Sequence, residues 1–415
     1  MKFEEYRLGD LIESISVTHE FPKEEIIFLN TSDILRGSVL TDEYKDVVGL
    51  PGQAKKSIKK GDILYSEIRP KNKRYAFIDF DAENYVVSTK LMVLRVKDSR
   101  LLHNKYLYYY LTCNNIVNHL QNLAESRSGT FPQITFSEIA SLEIALPTLQ
   151  TQKSVVDFMD DLNDKLNVNN AIISNLEELA QTLFKHWFVD FEFPNEEGKP
   201  YKSSGGKMVE SEFGMIPEGW NLNKLNEISK LIMGLSPKSS TYNEEGEGLP
   251  LLNGAADFNG SSLAPKRYTS DPKRISIKSD LILCIRATIG NLTYSDSEYA
   301  LGRGVAAIRP YKREYSELLY HFVLRSINRL KAQATGSVIS GLSKPDLENI
   351  TILVPDDNKL NKFHNVFSSI QLKQQQLSEE NIRLVNIRDI LLPKLLSGEI
   401  EIPDDMEVTE DVPIS

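Results

Sequence analysis

A chain of 415 residues, 41% hydrophobic and 26% charged, is long enough for two or three domains and has the make-up of an ordinary soluble protein. No apolar run approaches the roughly 20 residues of a membrane span, and the opening MKFEEYRLGDLIES carries no basic-then-apolar export signal, so a cytoplasmic protein is expected. Two cysteines, Cys113 and Cys284, can neither staple a small fold nor complete a zinc site. The net charge of −10 argues against a nucleic-acid partner until the acids are located. The tail from Glu399 to Asp411 carries −7 and residues 157–197 carry −8, which leaves the remainder at +5.

In chain order, residues 1–147 form a β-rich globular stretch. Strand-like runs appear in EEIIFLNTSDI, GDILYSEI, YAFIDF and VVSTKLMVLRV, bounded by Gly, Pro, Asn and Asp. HNKYLYYYLTCNNIVNHLQNLAES follows and reads as one helix, with Tyr106, Tyr110, Val117 and Leu120 among its apolar positions. An SGT turn and the strand SLEIALP lead into a long helix over 148–192. Residues 193–217 read as a polar linker. A second globular stretch, 218–355, is followed by a second long helix over 356–398. Residues 399–415 are an acidic tail, whose composition predicts disorder.

The first long helix carries Val155, Met159, Leu162, Leu166, Asn169, Ile173, Leu176, Ala180, Leu183 and Trp187 at steps of four and three, the seam of a coiled coil. A helix with one apolar stripe needs a partner. Shifting by 208 residues, the separation of Pro147 and Pro355, places a second seam at Phe363, Phe367, Ile370, Gln374, Leu377, Asn381, Leu384, Arg388, Leu391 and Leu395. Pro393, which removes a donor and restricts Leu392, is expected to make the second helix end differently from the first. Asn169 and Asn381 interrupt the seams as register-fixing polar residues would; partner contact is the sharper alternative.

The globular stretches repeat as well. NLNKLNEISK echoes YRLGDLIES, SDLILCIR answers GDILYSEIR with Asp62 matching Asp280, and NITILVP answers SLEIALP. A TGS turn at Thr335–Ser337 answers SGT. The loops at 13–60 and 231–278 show no likeness. One frame carrying two loop sets suits a protein that reads two things at a fixed separation.

The pieces ESEFGMIPEGW, LPTLQTQKSVVDFMDDLNDKL and LLPKLLSGEI, duplicated at this spacing over nearly the whole chain, resemble the specificity subunits of type I restriction-modification systems. The resemblance implies an α+β fold with two tandem target recognition domains, separated by two long helices that pair antiparallel. Each domain would read one half of a split, asymmetric sequence in double-stranded DNA. The helix pair would set the gap and dock methyltransferase subunits, two of them, with nuclease-translocase subunits joining. It also implies no active site here, with S-adenosylmethionine, ATP and Mg bound by partner subunits and no membrane association.

Direct readout calls for Arg, Lys, Asn and Gln on loops. IRPKNKRY offers Arg69, Lys71, Asn72, Lys73 and Arg74 between two strand-like runs, where the bland reading is a solvated hairpin tip; Arg286 sits at the matching place in SDLILCIRATIG. Arg127 and Gln133 flank the SGT turn, and Lys344 follows its counterpart. Lys266, Arg267, Lys273 and Arg274 form a second basic cluster, better suited to phosphates than to bases. Arg303 stands between two glycines, where it either approaches DNA closely or fills a turn.

No methylase, phosphate-loop or paired-histidine metal motif is present. Pro345-Asp346 with Asp357-Asn358-Lys359 only loosely imitates a nuclease centre. Two rival functions are a two-headed protein-binding scaffold and, less well supported, a self-contained DNA nuclease.

Overall fold

The computed structural model describes residues 3–127, 131–260, 262–286, 289–333 and 341–402. The SGT and TGS turns, most of the acidic tail and the Arg127 side chain lie outside the described residues. The chain divides into two compact units, residues 1–170 with 378–415 and residues 171–377, so the division falls inside both long helices.

Unit 1 begins with strand Glu4–Arg7, antiparallel to Glu143–Leu146. A four-stranded sheet follows in the order Ile12–Ile15, Leu91–Val96, Ile63–Ser66, Tyr75–Phe77. A second sheet runs Tyr44–Asp46, Glu25–Leu29, Tyr85–Ser88, Ala54–Ser57, with its two middle strands parallel. Unit 2 repeats this plan. Asn221–Lys224 pairs with Thr351–Val354. Ser229–Met233, Val305–Pro310, Leu281–Cys284 and Leu292–Tyr294 make the four-stranded sheet. In the remaining five-stranded sheet, Leu249–Leu252 lies parallel to Tyr299–Leu301. The strands Ile63–Ser66 and Leu281–Cys284 are buried at every residue, which is why both read as short unbroken runs rather than alternating ones.

The two copies share a buried ion pair that the sequence only half disclosed. Asp62 accepts Arg95 Nε and Nη2 at 2.7 and 2.8 Å, and Asp280 accepts the same atoms of Arg309 at 2.9 and 2.8 Å. Each carboxylate also takes a backbone N–H three residues earlier, from Lys59 and from Ile277.

Four expectations need correction. The loops at 13–60 and 231–278, unlike in sequence, share one turn and the hairpin after it. Asp33 accepts the backbone N–H of Asn30, Asp257 accepts those of Asn253 and Gly254, and a two-residue-stranded hairpin follows each turn. Asn30 and Asn253 are 253 − 30 = 223 residues apart, whereas Asp62 and Asp280 are 280 − 62 = 218 apart, so insertions around the turn hide the match. The helix over 104–127 is broken: Asn104–Thr112 ends at an extended Cys113, and Asn114–Arg127 starts afresh. The Asn114 side chain there holds Lys73 and Asp389. The expected linker is folded, with a hairpin of Met208–Ser211 and Gly214–Pro217 leading to a buried Trp220 stacked on Phe193 at 4.8 Å. Pro393 lies inside its helix, which runs Asp357–Ser397. The lost donor is outweighed because Leu392, Leu395 and Leu396 enter the core of unit 1 with Val155 and Met159.

The first long helix is Leu149–Phe188. All twenty seam residues expected on the two helices are buried or half-buried. In unit 1, Asn169 Nδ2 donates to Asn381 Oδ1 and Glu380 Oε2, both at 2.9 Å, and Arg388 reaches Asn163. In unit 2, Gln374 donates to the Ile173 carbonyl. Around Phe363 an aromatic cluster gathers Phe184, Trp187, Phe188, Phe367 and His321. Burial there pushes the His321 imidazole down to about 3, so it stays neutral.

Candidate nucleic-acid interface

In unit 1 the interface grows from the end of strand Ile63–Ser66. Ser66 Oγ accepts the Ile68 N–H, and Arg69 turns into the left-handed region with φ 44°. Pro70–Asn72 then make one tight turn, and Lys73 is left-handed too, with φ 53°. The turn is braced from two sides. Arg69 N donates to Pro132 O and Ile134 N to Glu67 O, which sets Gln133 beside Ile68. The buried Gln121 accepts the Lys71 N–H at 3.1 Å. Arg69, Lys71 and Asn72 therefore stand exposed on a stiff backbone.

Two neighbours have other work. Arg74 Nη1 donates to the carbonyls of Ser32 and Ile34 at 2.9 and 3.0 Å, tying the Asn30–Asp33 turn to the sheet. Lys73 Nζ donates to Asn114, and burial together with the nearby Arg36 guanidinium holds its ammonium below the ordinary range. Arg36 escaped the sequence reading. It is exposed at the tip of the Ile34–Val39 hairpin with φ 50°, and its N–H donates to Lys73 O. The Arg-Gly pair in ILRGSVL was the available signal.

In unit 2 the same backbone path carries different side chains. Ile285 N donates to Gly304 O as Glu67 N does to Lys90 O, and Leu342 N to Ile285 O as Ile134 N does to Glu67 O. This register puts Arg286 opposite Ile68, one residue before the place of Arg69 that the sequence match suggested. The sequence match failed because SDLILCIR is one residue shorter than GDILYSEIR. Arg286 and Arg303 line one cleft of about 370 Å³ with Ser236, Asn253, Gly254, Ala255 and Gly304.

The other basic residues are not drawn into that cleft. Lys266, Arg267, Lys273 and Arg274 are exposed, with Arg267 near Glu244 and Lys273 paired to Asp271 at 2.6 Å. Such exposed pairs contribute little to stability and leave the cations available to phosphates. Lys344 opens the short helix Lys344–Glu348 and pairs with Glu348. Asp346, half of the nuclease look-alike, caps that helix through Ser343, and Asp357 pairs with Lys312 at 3.7 Å. Among the described residues no group of three His, Cys, Asp or Glu side chains could hold a metal ion.

Residues 1–178 and 217–380 match the family model described as the type I restriction modification DNA specificity domain. The chain belongs to that family. It is a type I specificity subunit, a recognition component rather than a catalytic one. The HindI specificity subunit of Haemophilus influenzae is 33% identical, over 96% of this chain and 99% of that one. A putative MjaX specificity subunit of Methanocaldococcus jannaschii is 26% identical over 82% and 79%. The crystal structure of the type I S subunit from M. genitalium shares the fold, with a TM-score of 0.56, 17% identity and coverage of 95% and 96%. No helix among the described residues of this specificity subunit is long and apolar enough to cross a membrane.

Proposed function

We propose that this specificity subunit reads a split, asymmetric target in double-stranded DNA, one half with unit 1 and the other with unit 2. The observation that carries the reading is the shared frame with unlike side chains at two matched turns: Ile68 and Thr89 in one unit, Arg286 and Arg303 in the other. A common backbone delivers both loops to DNA in the same way, and the side chains decide which bases each accepts.

The two long helices act as the ruler. At about 1.5 Å per residue, 40 residues span roughly 60 Å, against about 34 Å for a turn of B-DNA. They run antiparallel as a coiled-coil pair. The paired contacts support this, since partners of Asn163 and Asn169 fall in reverse order at Arg388 and Asn381. Asn169 and Asn381 fix the register, because a one-heptad slip would part the two amides and set Asn381 against Leu162 or Leu176. The acidic face of the first helix, with Asp157, Asp161, Asp164 and Glu178 exposed, repels DNA, and the helix pair docks two methyltransferase subunits. Nuclease-translocase subunits complete the assembly, and S-adenosylmethionine, ATP and Mg bind to those partners.

Exchange of residues 218–356 for the matching stretch of a relative tests the division of labour. Sequencing of methylated bases is expected to show one half of the target replaced and the other half and the gap unchanged. Simultaneous change of both halves contradicts two independent readers.

A further inference from the structure

We infer that Arg303, with Arg286 beside it, reads a guanine in the half-site of unit 2, the cleft between them admitting the edge of a base pair. The inference rests on the DNA-reading function proposed above and adds to it the identity of one base and the side chain that selects it.

The first ground is the way Arg303 is held. Gly302 N donates to Leu252 O, Ile285 N to Gly304 O, and Arg303 N to Ser236 Oγ, so the backbone is pinned before, at and after the arginine. Close approach requires Gly304, where a Cβ would collide with the Asn253 carbonyl, and a Cβ on Gly302 would push the Asn253 side chain aside. The Asn253 turn is itself locked by Asp257, which takes the N–H groups of Asn253 and Gly254. Three chain segments thus meet under one exposed guanidinium. A backbone fixed beforehand leaves only the side chain to be ordered on docking, which favours two simultaneous hydrogen bonds to one partner.

The second ground is the cleft's chemistry. Arg286 and Arg303 both line it, its other polar side chains are Ser236 and Asn253, and no acidic residue takes part. Neither arginine forms an ion pair with a described carboxylate. Two guanidinium groups left without counter-ions in one concavity call for a partner rich in acceptors. Guanine offers two adjacent acceptors, O6 and N7, on its major-groove edge, and the arginine fork matches them. A phosphate would also satisfy a guanidinium, but phosphates meet the outer face of a protein, where Lys266, Arg267, Lys273 and Arg274 already stand exposed.

Unit 1 differs at the same place. Ser88, Thr89 and Lys90 stand where Gly302, Arg303 and Gly304 do in unit 2, and Ile68 stands where Arg286 does. The pair of arginines is therefore a feature of one reader and not of the shared frame.

The test uses the complete methyltransferase complex, assembled with wild type, Arg303→Ala or Arg303→Lys, acting on a duplex library randomised across both half-sites. The wild type is expected to require a G·C pair within the half assigned to unit 2. Arg303→Ala should lower discrimination at that one pair by about 5- to 150-fold. Arg303→Lys, which keeps the charge and loses the fork, should lower it similarly. Unchanged preference for the half read by unit 1 shows that each variant complex is folded and assembled. Equal weakening on all sequences, or full discrimination retained by lysine, would mean a phosphate contact and overturn the inference while the two-reader function stands. A wild-type complex that modifies no split target overturns both.

Discussion

Replacing Phe363 by alanine is expected to cost unit 2 about 3–5 kcal/mol, the range for deleting a fully buried aromatic ring. The ring is 0% exposed, with centroids 4.0 Å from Phe367, 4.7 Å from Phe188 and 5.9 Å from Trp187. Its neighbours come from both long helices and from the Ser316–Gln333 helix, so no single element can shift to close the void. The protein's two tryptophans, Trp187 and Trp220, both belong to unit 2, so their fluorescence reports the unfolding of that unit. In urea titrations followed this way, the midpoint should fall sharply for Phe363→Ala and much less for Phe363→Leu. A loss below about 1 kcal/mol for the alanine variant would show that the cluster does not hold the unit together.

Arg309→Met should cost about 3 kcal/mol, because it strands the Asp280 carboxylate in the core without its bidentate partner. The side chain of Asp280 is only 1% exposed, whereas Arg309 is 29% exposed, so removal of the arginine exposes the penalty of the buried charge. For a unit of about this size that corresponds to roughly 6–12 °C in Tm. Arg95→Met should act alike on unit 1 through Asp62 and leave the tryptophan signal in place. A shift of the tryptophan transition by Arg95→Met as large as that by Arg309→Met would contradict the assignment of the two pairs to separate units.

Much of the architecture could be read from residue patterns, and the failures have physical causes. The seams of the long helices were legible because a 3–4 spacing sustained over ten positions arises from little besides a helix packed along one stripe. The buried strands around Asp62 and Asp280 were legible because they are short apolar runs opened by the same acid. Their arginine partners were not, since the residues pair across neighbouring strands at separations of 33 and 29 residues. The Asn–Asp turns escaped because insertions on both sides shift them out of the offset of the neighbouring matches while leaving the cap intact. Pro393 misled because the local cost of a proline was weighed without the leucines that bury around it. Among the candidate contacts, exposure was easy to foresee and role was not. Arg74 and Arg69 are near neighbours in a basic run, yet one ties two carbonyls and the other faces outward. Arg36 reaches the Lys73 loop only through the Ile34–Val39 hairpin, which the residue pattern did not disclose.

One chain reading two half-sites at a set distance leaves its record in the methylated bases of the host genome, where it can be mapped. With the gene intact, two readers on one ruler predict a motif of two short specified halves around a gap of constant length, lost when the gene is deleted. Methylation that survives the deletion unchanged, or a lost motif that is continuous and unsplit, would contradict it.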